Sequence, residues 1–179
     1  MSDDELLDRA AAGLSSGSWS LNDAARLAGV HPATLIKRFG SRQGMLAALS
    51  RRWIKNLPDE PTGEDGLGEI LAWVQDVATV AVDRNAAVAG VAMLMEDLKD
   101  AELSELLVIG WNKQLSYLAA LIDQARESGD LSRAPMSQVG AELLLDVQLG
   151  TTIRAAAHAS PRASVDRQAL LTNLIEGWR

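Results

Sequence analysis

The sequence predicts an all-α fold, with a small N-terminal helical domain and a larger C-terminal helical domain. Only five of the 179 residues are proline, and no stretch alternates apolar and polar residues as an exposed strand would. Apolar residues instead recur at the three- and four-residue spacing of helix faces. Because 47% of the residues are hydrophobic, a sizeable core is expected.

The first helix is predicted from an apolar face, and the second helix is predicted from an N-cap. A helix at about 3–16 places its leucines and alanines on one side. A second helix at about 21–28 has Ser20 as its N-cap, and Asp23 three residues later predicts a capping box. Gly29 ends this helix because glycine accepts the left-handed conformation that follows many helices.

The next two helices complete the N-terminal domain. A third helix begins at Pro32, a residue suited to the first helical position, and ends near Phe39 and Gly40. Ser41 caps a fourth helix at about 42–56. The four helices together form a predicted domain of residues 1–56.

A linker rich in proline, glycine and acidic residues follows at 56–68. It marks the boundary between this domain and a second predicted domain of residues 57–179. Long apolar-periodic stretches fill the second domain. They predict helices at about 67–82, 86–98, 101–128, 136–158 and 164–178.

The net charge of −7 conceals an uneven distribution, because residues 1–25 carry −4, residues 26–55 carry +7 and residues 56–179 carry −10. A window of seven cations without one carboxylate is typical of a surface that contacts a polyanion. Charge alone would favour an ordinary solvated helix face. The pattern of residues inside the window distinguishes the two interpretations.

The second and third helices have the spacing of a helix-turn-helix. Ala25 lies four residues before Gly29, and Leu35 lies six after it. Two helices that cross closely need a small side chain at the contact, and the sharp turn needs a residue that tolerates positive φ. Ala25 and Gly29 meet these needs, and Leu35 can anchor the third helix, which would then lie in a major groove of DNA.

The longer stretch 20–46 resembles the DNA-binding domain of TetR-family transcriptional regulators, and Arg42 stands at the usual lysine of that family. The matching positions are Ala25, Ala28, Gly29, Val30, Thr34, Leu35, Phe39, Ser41 and Leu46. The resemblance implies that Thr34 and Lys37 lie near base edges or phosphate, and that Arg38 and Arg42 lie near the DNA backbone. The implied DNA-binding residues are Ser20, His31, Thr34, Lys37, Arg38 and Arg42.

The resemblance further implies that residues 57–179 bind an effector and dimerise through the helices near 136–158 and 164–178. Such a homodimer would place two recognition helices about one turn of DNA apart on a pseudo-palindromic operator. An apolar or amphipathic small molecule is the expected effector, although Trp and Met at helical spacing are more often part of a core than of a pocket. These candidate pocket residues are Trp73, Val77, Met93, Trp111, Tyr117 and Leu121.

The sequence contains no motif that indicates an enzyme, a metal-binding protein or a cofactor-binding protein. The chain has no cysteine, and its two histidines, His31 and His158, lie far apart, so neither a catalytic site nor a metal or cofactor site is expected. An acidic N-terminus and the lack of a long uncharged apolar run predict a cytoplasmic protein without a membrane span.

The sequence therefore predicts a one-component regulator, a repressor released from its operator by a small molecule. The alternative is a helical protein-interaction module of the same fold with weak or lost DNA binding. Ile36 at the usual tyrosine, His31 at the usual serine or threonine, and the lack of a basic N-terminal arm motivate this alternative.

Overall fold

The computed structural model describes residues 1–11, 20–79, 84–157 and 163–179, and all of its regular elements are α-helices, which confirms the predicted all-α class. The ends predicted for the first, fifth and eighth helices, at residues 16, 82 and 158, lie outside the described residues. The helices are α1 (Asp3–Ala11), α2 (Leu21–Ala28), α3 (Pro32–Phe39), α4 (Arg42–Asn56), α5 (Gly66–Thr79), α6 (Arg84–Asp97), α7 (Ala101–Glu127), α8 (Ser137–Ala157) and α9 (Ala163–Glu176).

The chain divides into two compact units. The first contains residues 1–56 together with 88–110, and the second contains residues 57–87 together with 111–179. The division after Asn56 falls at the predicted linker, but α6 and α7 each contribute residues to both units. The assignment of residues 1–56 to DNA binding and of 57–179 to effector binding remains a prediction.

The first unit is built on the small residues of α2. α1 packs on α2 and α4, α2 packs on α3, and α3 packs on α4. Leu103 at the start of α7 joins the same apolar cluster. The buried members of this cluster are Leu6, Leu7, Ala10, Ala24, Ala25, Ala28, Leu35, Met45, Leu46, Ala47 and Leu103.

The second unit has its own core, in which α9 packs on both α5 and α8. Large aliphatic side chains of α5, α7, α8 and α9 are fully buried there, among them Ile70, Leu118, Leu121, Ile122, Leu144, Leu171 and Ile175. Removing side chains of this size from water is the main favourable term in folding. None of the helices within the described ranges is long and apolar enough to cross a membrane.

Glu69 of α5 fastens the end of the linker to this core. Its carboxylate accepts hydrogen bonds from the backbone N–H of Thr62 at 2.9 Å and of Gly63 at 2.9 Å, and from the Tyr117 hydroxyl at 2.8 Å. Burial alone would raise the pKa of Glu69, but these hydrogen bonds to the charged form outweigh it and lower the pKa. The linker residue Thr62 is therefore held by an ionised side chain.

A buried arginine joins three helices of the second unit. The Arg167 side chain of α9 is 1% exposed and donates to the Thr151 hydroxyl at 3.0 Å, the Thr152 hydroxyl at 2.9 Å and the Val77 carbonyl at 2.6 Å. Burial lowers the pKa of Arg167 because it disfavours the charged form. Val77 lies in the last turn of α5, where unsatisfied carbonyls carry partial negative charge that stabilises the cation.

Thr151→Val should destabilise the second unit. The substitution keeps the shape but removes one of three acceptors from a buried cation, and a hydrogen bond to a charged group contributes about 1.5–3 kcal/mol. The free energy of unfolding in urea at pH 7 measures the loss. Thr172→Val, which changes a hydroxyl of α9 that does not bind Arg167, is the control, and an equal loss in both variants would contradict the role of Arg167.

Candidate nucleic-acid interface

The start of α2 is held by a complete capping box, as the sequence predicts. The Ser20 hydroxyl accepts from the Asp23 backbone N–H at 3.2 Å, and the Asp23 carboxylate accepts from the Ser20 N–H at 3.0 Å and from its hydroxyl at 2.7 Å. The Ser20 hydroxyl and backbone, followed by Arg26, lower the pKa of Asp23. Ser20 must therefore release Asp23 before its hydroxyl could donate to a phosphate.

The turn between α2 and α3 has the geometry that its spacing predicts. Gly29 adopts φ 68°, and the N–H of Val30 closes the end of α2 on the Ala25 carbonyl at 2.9 Å. Both Ala25 and Leu35 are 0% exposed. A β-carbon at Gly29 would meet nothing within 4 Å, so its backbone angle, not lack of space, demands glycine.

The N-terminus of α3 is fixed by Pro32 at its first turn and by His31 as N-cap. The Nδ1 atom of His31 accepts from the Ala33 N–H at 3.2 Å. The imidazole thus takes the capping role that serine or threonine fills at most helix starts. His31 stabilises the helix locally, whatever contact its exposed ring makes with another molecule.

The outer face of α3 brings three of the predicted DNA-binding residues together. Thr34, Lys37 and Arg38 border a shallow surface hollow of about 470 Å³. Ile36, which stands where a tyrosine is expected, is 51% exposed on the same short helix. An apolar side chain can contact a thymine methyl group in this position, but it cannot donate a hydrogen bond to phosphate.

Arg42 is the first residue of α4, and the close approach of α3 to this end of α4 requires glycine at position 44. The Ser41 hydroxyl accepts from the Gly44 N–H at 3.0 Å. A β-carbon on Gly44 would lie 2.0 Å from the Phe39 carbonyl oxygen. Gly44 therefore lets the end of α3 approach the start of α4, a requirement that sequence reasoning missed. No signal at Gly44 itself reveals this close approach in the linear chain.

The basic window does not present seven free cations. Five of its arginines form ion pairs with carboxylates of the same unit, and four of these carboxylates lie 35 to 54 residues away in sequence. Among the described residues, Lys37 has no carboxylate partner. The pairs are Arg26 with Asp23 at 3.2 Å, Arg38 with Asp3 at 2.5 Å, Arg42 with Glu96 at 2.5 Å, Arg52 with Asp8 at 2.5 Å, and Arg51 with Glu102.

The six residues expected to line an effector pocket fall in different surroundings. Met93 packs on the apolar cluster of the first unit. Trp73 and Val77 pack against the core of the second unit, and Tyr117 and Leu121 are part of that core. Trp111, at the start of the α7 segment in the second unit, is half-buried. Burial, and then the hydrogen bond that the Tyr117 hydroxyl donates to the Glu69 carboxylate, raise the pKa of Tyr117 to about 12.

Within the described ranges, no group of three or more His, Asp or Glu side chains is placed to hold a metal ion. A carboxyl group with a raised pKa lies instead at the end of α6. Burial, and then the neighbouring carboxylates of Glu96 and Asp100, raise the pKa of Asp97 to about 6. The C-terminal end of a helix adds its own unfavourable partial charge to this carboxylate.

Solved structures share this fold over almost the whole chain. A TetR transcription regulator from Haloarcula marismortui is 13% identical and superposes with a TM-score of 0.77, covering 98% of this chain and 97% of that one. A transcriptional regulator from Rhodococcus sp. Rha1 is 18% identical, with a TM-score of 0.75 and coverage of 99% and 96%. A regulator from Saccharomonospora viridis, solved in complex with choline, is 18% identical, with a TM-score of 0.74 and coverage of 97% and 95%.

No protein-family model and no curated protein matches the chain. The solved structures nevertheless define the fold class, because the similarity extends from the helix-turn-helix to α9. The chain has the fold of TetR-family transcriptional regulators, and the predicted resemblance is confirmed at the level of the fold.

Asp97→Asn should stabilise the protein at neutral pH. The pKa of Asp97 is raised in the folded state, so ionisation costs stability above about pH 6 and costs nothing below the unfolded pKa near 3.8. We expect a gain of about 1 kcal/mol in the free energy of unfolding at pH 7.5 that shrinks as the pH falls from 6 to 4. Urea unfolding across this pH range measures it, with the exposed Asp146→Asn as control. A gain that does not change with pH would contradict the assignment.

Proposed function

We propose that the protein is a homodimeric, DNA-binding transcriptional regulator, and that it is a repressor released from its operator by a small molecule. One observation carries this proposal. The α3 helix is anchored by the fully buried Leu35, and Thr34, Lys37 and Arg38 together border a hollow on its accessible surface. A short helix that is fixed at its inner face and polar at its outer face suits insertion into a major groove.

The proposed DNA contacts divide by chemistry. The N-terminal part of α3, with Thr34, would approach base edges, and Lys37 and Arg38 would approach the backbone. Ser20, His31 and Arg42 stand at the N-termini of α2, α3 and α4. Helix N-termini carry partial positive charge and unsatisfied N–H groups, so each favours a phosphate. In this proposal residues 1–56 form the DNA-binding domain.

The proposed dimer interface is the outer face of α8 and α9. Large apolar side chains remain exposed there, namely Val139, Leu143, Ile153 and Leu170. A hollow of about 660 Å³ lies between the two helices and is lined by Val147, Gly150, Thr151, Arg154, Leu170, Asn173 and Leu174. A β-carbon on Gly150 would meet nothing within 4 Å, which leaves space for a second chain. Gly140 is different, because its β-carbon would lie 2.8 Å from Ile122 of α7.

Effector binding is proposed for residues 57–179. The choline complex of the Saccharomonospora viridis protein supports a small-molecule ligand for this fold. Trp73, Val77, Trp111 and Tyr117 of the second unit are candidates to line the site, and their character favours an apolar or amphipathic molecule. Release would follow from a population shift, in which the effector prefers a dimer whose recognition helices do not match the groove spacing.

The alternative, an interaction module that does not bind DNA, is favoured by the ion pairs of the basic window. Arg38 and Arg42 are already paired with Asp3 and Glu96. The dependence of duplex binding on salt distinguishes the two functions. Each phosphate contact contributes a slope of about −0.9 to the plot of log affinity against log salt. Binding that is absent for every duplex, or that does not respond to salt, would support the interaction module.

Lys37→Ala should weaken binding to duplexes of any sequence and make the salt slope about one unit shallower, because one phosphate contact is lost. Fluorescence anisotropy with a labelled duplex at several salt concentrations measures both effects. Lys55→Ala removes the same charge at the far end of α4, outside the proposed interface. Equal effects of the two substitutions would mean that α3 is not the DNA-binding surface.

Gly150→Arg should convert the dimer into a monomer, because it fills the hollow on α8 and adds charge beside Arg154. Sedimentation velocity measures the oligomeric state. Gly90→Arg is a matched control, since Gly90 is also exposed within a helix and its β-carbon also meets nothing within 4 Å. A Gly150→Arg protein that remains dimeric would exclude this face as the interface.

A further inference from the structure

Four of the five carboxylates that pair with arginines of the basic window come from three helices outside it, namely α1, α6 and α7. Asp3 lies in the first turn of α1, Glu96 lies at the end of α6, and Glu102 lies in the first turn of α7. All three belong to the first unit. Residues 26–55 themselves contain no acidic residue, so these pairs arise only through folding.

Two of the pairs occupy residues of the proposed DNA interface. The Nη1 atom of Arg38 lies 2.5 Å from Asp3 Oδ1, and its Nη2 donates to the Met1 carbonyl at 3.3 Å. The Nη2 atom of Arg42 lies 2.5 Å from Glu96 Oε2. A guanidinium that donates to a phosphate in the same direction must first give up its carboxylate.

The two pairs are of a strength that phosphate can overcome. The four side chains of these pairs are 26% to 58% exposed, so water screens both interactions. Exposed pairs of this kind favour the paired state by about 1.4- to 5-fold. Duplex DNA carries one negative charge per roughly 1.7 Å of helix axis, a far denser array of acceptors than one carboxylate.

We propose that Asp3 and Glu96 are intramolecular competitors of DNA phosphate, which occupy Arg38 and Arg42 in the DNA-free protein and lower its affinity for every duplex. This inference rests on the proposed DNA-binding function. Binding then exchanges a carboxylate for a phosphate at each arginine. The released carboxylates take up cations near the DNA, which offsets part of the counterion release and makes the salt slope shallower.

Glu96 and Asp3 thereby regulate affinity rather than sequence preference. Phosphate contacts position the protein without reading bases, so weakening them lowers binding to all duplexes alike. A regulator that binds random DNA less tightly spends less of its time away from its operator.

The test compares two glutamates that each pair with an arginine of α4. Glu96→Gln removes the carboxylate paired with Arg42, which lies in the proposed interface, and Glu102→Gln removes the carboxylate paired with Arg51, which does not. Both substitutions change the net charge equally. The full-length proteins are titrated into a labelled 30-base-pair duplex of random sequence at several potassium chloride concentrations, and fluorescence anisotropy reports binding.

We expect Glu96→Gln to bind about two- to fivefold more tightly than Glu102→Gln at low salt, with a salt slope steeper by up to about one unit. Asp3→Asn should exceed Asp8→Asn in the same way, because Asp8 pairs with Arg52 outside the interface. In an Arg42→Ala background the gain from Glu96→Gln should disappear, which isolates the pair itself.

The outcomes separate this inference from the function on which it rests. Salt-dependent binding by the unaltered protein, with Glu96→Gln equal to Glu102→Gln, would overturn the competition and leave the DNA-binding function standing. A gain from Glu96→Gln that persists in the Arg42→Ala background would also overturn it. Failure of the unaltered protein and every variant to bind any duplex would overturn both.

Discussion

The contact between α2 and α3 is the constraint on which the proposed interface depends. Ala25 and Leu35 are both fully buried there, and Gly29 turns the chain through a left-handed conformation that other residues adopt only at a cost. A larger side chain at Ala25 would separate the two helices, and overpacking of a tight contact is destabilising. Because α3 is fixed by this contact on its inner side, its outer side is free to present polar groups in a defined orientation.

The cations near the α2–α3 contact differ in whether a carboxylate of the same unit is paired with them. Lys37 stands on the outer face of α3 without a carboxylate partner in the described part of the chain, whereas Arg38 and Arg42 are paired. Surface pairs contribute little to folding stability, so the five paired arginines of this window add little to the stability of the fold. At the end of α6, burial is the main cause of the raised pKa of Asp97, and the neighbouring carboxylates of Glu96 and Asp100 add to it.

Local signals predicted the helix-turn-helix closely. Ser20, Asp23, Gly29 and Pro32 act through hydrogen bonds and backbone angles within a few residues of themselves, and the bounds of α2 and α3 agree with them. The role of Gly44 was missed because the carbonyl that excludes a β-carbon is brought there by the turn. The pocket residues were harder to predict, since Trp and Met at helical spacing are more often part of a core than of a cavity. Met93 packs in a different unit from the other candidates.

The sequence by itself determined the helical class, the caps and turn of the helix-turn-helix, and the position of the basic window, because each depends on contacts between near neighbours or on composition. Only the tertiary structure decided which of those cations are free. Asp3 and Glu96 are separated from Arg38 and Arg42 by 35 and 54 residues, and no periodicity links them along the chain. Charges that are counted along a sequence add without regard to distance, whereas electrostatic interactions depend on separation and burial, which folding alone establishes.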